Sequence, residues 1–71
     1  MYTFAERLRG FRTREDRKLT QQALADKLGA SRRTISDWER GLYLPKTREM
    51  ALDLAEALGL SPADTNLLLI A

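Results

Sequence analysis

The sequence contains no cysteine and no histidine. The first absence excludes a disulfide framework and thiolate metal sites, and it fits a reducing compartment. The second removes the commonest general base and metal ligand. Long apolar runs are missing as well, since nothing approaches the roughly 18–20 residues of a membrane span. Glu6, Arg7 and Arg9 interrupt the stretch after Met1 where a secretory signal would lie. The expected setting is the cytoplasm, with no membrane contact. Apart from Glu15-Asp16, carboxylates are spread singly along the chain, with no phosphate-cradling glycine loop and no metal-ligand cluster. An enzyme is therefore not expected, nor a cofactor or a small-molecule substrate.

What is present suits one small all-helical domain spanning residues 1–71. At this size folding buries only about 60% of the unfolded surface, so every apolar position counts. The composition, 44% hydrophobic and 31% charged, is that of a folded domain and not of a disordered segment. Net charge is only +2, but its distribution is uneven. Residues 1–18 carry six cations against three carboxylates, and residues 31–48 carry five against two. Residues 49–71 carry four carboxylates and no cation. One end of the molecule is basic and the other acidic.

Periodicity and end signals predict five helices, at about 3–14, 21–28, 31–40, 47–58 and 61–70. In the first, Phe4, Leu8 and Phe11 share a face, and Thr3 with Glu6 forms a capping box. The wholly charged linker Glu15-Asp16-Arg17-Lys18 is expected in solvent. Thr20 and Ser31 cap the second and third helices, and Gly29 and Gly41 end them. The second buries Leu24, Ala25 and Leu28, and the third buries Ile35 and Trp38. Pro45 keeps Leu42–Lys46 a loop. The fourth helix turns Met50, Ala51, Leu54, Ala55 and Leu58 inward and stops at Gly59. Ser61-Pro62-Ala63-Asp64 is a strong start for the fifth.

The second and third helices form a unit. A small residue at Ala25, a turn at Gly29, then Ile35 and Trp38 at i and i+3 describe two helices crossing at roughly 90–120°. The outward face of the second member begins Arg32-Arg33 and continues through Ser36, Asp37 and Arg40. Two cations at a helix start oppose the helix dipole, an unfavourable placement unless an anion meets them. Such a start suits the major groove of DNA, where arginine bonds guanine bidentately.

The run Leu19-Thr20-Gln21-Gln22-Ala23-Leu24-Ala25-Asp26-Lys27-Leu28-Gly29, followed by Ile35-Ser36-Asp37-Trp38-Glu39-Arg40-Gly41, resembles the Cro and phage-repressor (XRE-type) helix-turn-helix domain. The likeness extends to Leu54-Ala55-Glu56-Ala57-Leu58-Gly59-Leu60-Ser61 and covers nearly the whole chain. It implies a five-helix bundle that binds double-stranded DNA for transcription regulation, with the third helix as reader. By this resemblance Arg32, Arg33 and Asp37 fall at base-reading positions, and Thr34 reaches base or backbone. Gln21, Arg40, Lys46 and Arg48 fall where the family grips phosphate. Glu39 is implied to pair with an arginine of the first helix, Arg12 or Arg14, with Arg12 preferred because it follows core Phe11. Two features depart from the pattern. Lys18 stands where glycine is usual, in a connection about two residues longer, and Asp37 puts an anion on the reading face.

The tail Leu67-Leu68-Leu69-Ile70 points in all directions on a helix, so the core can cover only part of it. A homodimer on a palindromic site, or tethered domains of a longer regulator with this domain at its N-terminus, would use the remainder. An alternative function is an adaptor that binds other proteins with the same fold.

Overall fold

The computed structural model describes residues 3–14 and 17–70. Among them are five helices and no strand: α1 (Phe4–Thr13), α2 (Gln21–Leu28), α3 (Arg32–Glu39), α4 (Arg48–Leu58) and α5 (Pro62–Leu69). The expected spans agree to a residue or so at each end, the difference being the cap residues. Each helix starts at a hydroxyl: Thr3, Thr20, Ser31, Thr47 and Ser61 each accept a bond from an amide three residues on. Each such cap stabilises its helix by about 1 kcal/mol.

Packing follows from the apolar stripes. α2 lies against α3 and α4, α1 against α3 and α5, and α4 against α5. Their shared core is Phe4, Leu8, Leu24, Ala25, Ile35, Trp38, Leu54, Ala55, Leu58 and Leu68. Leu8, Leu24, Ile35, Leu54 and Leu68 have no exposed surface, and each contributes on the order of 1.5–3 kcal/mol by burial. Ala25 is buried completely where α2 meets its neighbours. The α2–α3 turn closes with the Gly29 amide on the Asp26 carbonyl and the Ala30 amide on the Ala25 carbonyl. Gly29 adopts φ 74° there, a left-handed conformation that costs glycine least. Of the apolar tail, Leu68 is buried and Leu69 half-buried, while Leu67 and Ile70 stay exposed.

The α1–α2 connection corrects one expectation. Glu15 and Asp16 lie outside the described residues, but Arg17 is not simply solvated. It is half-buried, and its Nε donates to the Leu58 carbonyl at 2.5 Å and Nη2 to that of Gly59 at 3.3 Å. A cation thus meets the negative end of α4. Lys18 sits at φ 46°, while the Lys18 amide bonds the Arg14 carbonyl and the Leu19 amide that of Arg12. A left-handed lysine costs about 1–2 kcal/mol, offset in part if glycine replaces it by that residue's greater unfolded freedom. Lys18→Gly is expected to raise stability by about 0.5–1 kcal/mol in a urea titration.

Glu6 closes the capping box of α1. Its Oε1 accepts from the Thr3 backbone amide at 3.1 Å and from the Thr3 hydroxyl at 3.0 Å. Those bonds, the backbone one foremost, hold the Glu6 carboxyl below the usual glutamate range. Because the folded value is the lower one, the box stabilises α1 above the unfolded value and is lost as pH falls through the folded value. Glu6 should therefore titrate below a free glutamate in carboxyl-detected NMR, and Thr3→Ala should move its midpoint part of the way back.

Candidate nucleic-acid interface

Beneath the α2–α3 unit lies a charged cluster. Arg12, on the last turn of α1, bonds Glu39 on the last turn of α3 through Nε to Oε2 at 2.5 Å and Nη2 to Oε1 at 2.8 Å. Both side chains are nearly out of water, at 12% and 5% exposure. The third arm of the guanidinium, Nη1, donates to the Leu19 carbonyl at 2.8 Å. Gln21 adds Nε2 to Glu39 Oε1 at 3.3 Å. Arg14 goes elsewhere, pairing with Asp64 at 3.0 Å and so tying the end of α1 to the start of α5.

Above this cluster the first turn of α3 is presented outward. Ser31 Oγ accepts from the Thr34 amide at 3.2 Å and lies 3.0 Å from Thr34 Oγ1, which fixes the threonine hydroxyl. Arg32 and Arg33 are both exposed. Asp37 is not on the open face that periodicity alone suggests. Its side chain is only 17% exposed and stands 3.8 Å from Arg33 Nε one turn earlier. The Leu42–Lys46 loop folds beside it, so that Thr34, Asp37, Trp38, Tyr43, Leu44, Lys46 and Met50 line one open groove of about 490 Å³. The freely presented side chains of α3 and its C-cap are thus narrowed to Arg32, Arg33 and Arg40.

The cations after α3 are set by its ending. The Gly41 amide bonds the Trp38 carbonyl at 3.2 Å and the Leu42 amide that of Asp37 at 3.0 Å, which turns the chain sharply. Arg40, Lys46 and Arg48 are exposed along this edge. Among the described residues, Arg32, Arg40, Lys46 and Arg48 make no side-chain hydrogen bond or ion pair with the protein. Leu42, Tyr43 and Leu44, each more than half exposed, interleave with these cations. Sequence reasoning had placed them only in a loop; their apolar character beside Pro45 was the available signal.

The helix starts divide in the same way. α1, α4 and α5 each carry a carboxylate in the first turn: Glu6, Glu49 and Asp64. α2 and α3 carry none. The partial positive charge at these two starts is therefore not offset by a carboxylate of the same helix turn.

The helix-turn-helix family model matches residues 12–64, most of the chain. The chain belongs to the XRE-type (Cro/C1-type) helix-turn-helix family. No curated protein and no solved structure gives a significant match. The family is one of DNA-binding domains, typically of transcription regulators. The matched segment begins at Arg12 and ends at Asp64, so it contains the whole Arg12–Glu39 cluster and every candidate contact residue. Among the described residues no helix is long and apolar enough to cross a membrane.

Removing one member of a buried pair strands the other charge. Arg12→Ala should lower stability by about 3–5 kcal/mol in chemical denaturation. Arg12→Met combined with Glu39→Leu, which removes both charges and refills the space, should recover most of that loss.

Proposed function

We propose that this domain binds double-stranded DNA in a sequence-specific manner to regulate transcription. The observation that carries the reading is the first turn of α3, where Arg32 and Arg33 stand exposed at a helix start without a carboxylate. In this reading α3 enters the major groove and α2 lies over the backbone. Arg32 and Arg33 read base edges, each bidentate contact discriminating by about 1–3 kcal/mol. Thr34 contributes to base or backbone, and Asp37 accepts from cytosine N4 when it swings from the groove toward the bases. Gln21, Arg40, Lys46 and Arg48 hold phosphates and set register.

A single domain makes a small footprint, so two copies on a palindrome, or tethered domains of a longer chain, give useful affinity. The longest dimension of the domain is 26 Å. Half-sites one helical turn apart are separated by roughly 34 Å, so two copies fit side by side. The exposed apolar surface at Tyr43, Leu44, Leu67 and Ile70 supports a neighbour of this kind. Leu67 on α5 and Ile70 at its C-cap, both exposed, favour as a second reading an adaptor that binds protein.

Selection from random duplexes followed by sequencing tests the function. Enrichment of a motif is expected, with two inverted half-sites if the domain works as a dimer. With roughly three phosphates neutralised, by Arg40, Lys46 and Arg48, log K should fall against log salt with a slope near −3. Arg32→Ala with Arg33→Ala should abolish binding while leaving the melting temperature unchanged or slightly raised, since both cations oppose the dipole of α3. Full binding by that variant, together with loss of a protein association on Ile70→Glu, would favour the adaptor instead.

A further inference from the structure

The charged cluster beneath the interface reaches the surface through one side chain, Gln21. We infer that Glu39 is a positioning residue for DNA binding: it holds the Gln21 amide in place so that its second N–H meets a backbone phosphate. The inference rests on the DNA reading above and adds a role for a carboxylate that touches no nucleic acid.

The geometry has three parts. Glu39 Oε2 accepts from Arg12 Nε at 2.5 Å, and Oε1 accepts from both Arg12 Nη2 at 2.8 Å and Gln21 Nε2 at 3.3 Å. The carboxylate cannot rotate away from Gln21 without breaking the fork. Arg12 Nη1 meanwhile holds the Leu19 carbonyl, two residues before Gln21. The start of α2 is thus gripped by its backbone and by its first side chain, from the same ion pair. An amide nitrogen carries two hydrogens. One is given to Glu39, which fixes the plane of the amide and turns the other away from the buried pair. Gln21 is half-buried at the start of a helix with no first-turn carboxylate, so the second N–H and the dipole of α2 serve the same anion. An unheld glutamine would lose its rotamer freedom on binding. Here the bond to Glu39 has already restricted that freedom.

The sign of one substitution separates this role from electrostatics. Glu39→Met removes the acceptor of the Gln21 bond and a negative charge from a chain of net charge +2, and by long-range field alone the loss of that charge tightens DNA binding. Positioning requires the opposite. Affinities are measured on the duplex enriched by selection, or on a short mixed-sequence duplex if none is enriched, at a temperature where every variant is folded by circular dichroism. Gln21→Ala should weaken binding roughly tenfold, the worth of one hydrogen bond to a charged group. It should leave the salt slope unchanged, since no cation is lost. Glu39→Met should weaken binding by a similar factor, and the double variant by no more than either alone.

Arg12→Met with Glu39→Leu provides a second arm, because it discards the charges while refilling the core. It should bind as weakly as Gln21→Ala and be indifferent to adding that change. Tighter or unchanged binding by Glu39→Met overturns the inference, as do losses that multiply to roughly a hundredfold in the double variant. If the wild-type protein binds no duplex at all, the DNA reading itself falls and this role with it. If it binds and the losses multiply, only the positioning role falls.

Discussion

Two opposite charges lie almost out of water where α1, α2 and α3 meet, and the working geometry of the domain depends on them. Burial of leucines drives the chain together but is indifferent to direction; a helix can slide or rotate against an oily neighbour at small cost. The Arg12–Glu39 fork has no such tolerance. Its two parallel bonds fix the last turn of α3 against the last turn of α1, and its third arm fixes Leu19 ahead of α2. Arginine suits this task where lysine would not, because a planar fork can serve a carboxylate and a carbonyl at once. The pair is a device for register rather than a source of net stability, since desolvation offsets most of the attraction. What it places is the angle and height of the α3 start relative to the α2 start, the two helix ends that any DNA partner would meet.

Much of the fold is legible in the sequence because its determinants are local. Thr3, Thr20, Ser31, Thr47 and Ser61 announce each helix within three residues of the amides they cap. Ile35 and Trp38 announce the buried face of α3 by spacing alone. The contacts that escape are those whose partners are distant along the chain. Arg17 looks like part of a solvated charge run, yet it meets carbonyls at Leu58 and Gly59. Nothing near residue 17 signals that. Asp37 is a subtler case. Helical period puts it on the open side, and its position on α3 agrees, but the loop after Gly41 folds back beside it and makes a groove wall of it. A reading based on one helix cannot include what another segment brings.

The candidate interface shows the same division between local and distant signals. Arg32 and Arg33 are visible from sequence as cations in an unfavourable place, and they are exposed in the fold. Gln21 is visible as the opening residue of α2. Its tie to Glu39 is not, because the two are separated by 18 positions. The Tyr43 and Leu44 side chains appear in the sequence only as apolar residues before Pro45, and it takes the fold to show them exposed in one groove with Asp37 and Lys46.

Net charge is a poor guide to this molecule, and the reason bears on how it would recognise an anion. The carboxylates of α1, α4 and α5 include one in each first turn, so those three dipoles are compensated within the protein. α2 and α3 carry no carboxylate in their own first turns, although Glu39 reaches the Gln21 side chain at the α2 start, and α3 adds two cations to its own positive end. Each of those cations costs the isolated domain about 0.3–1 kcal/mol, offset in part only for Arg33, by the Asp37 carboxylate one turn on. A domain this small holds little stability in reserve. Unfavourable charge is confined to one helix start and offset by hydroxyl caps and a directional buried pair elsewhere. In the proposed reading, the first turn of α3 and the start of α2 act with the exposed Arg40, Lys46 and Arg48, so that recognition depends on where these groups stand relative to one another more than on the total charge of the chain.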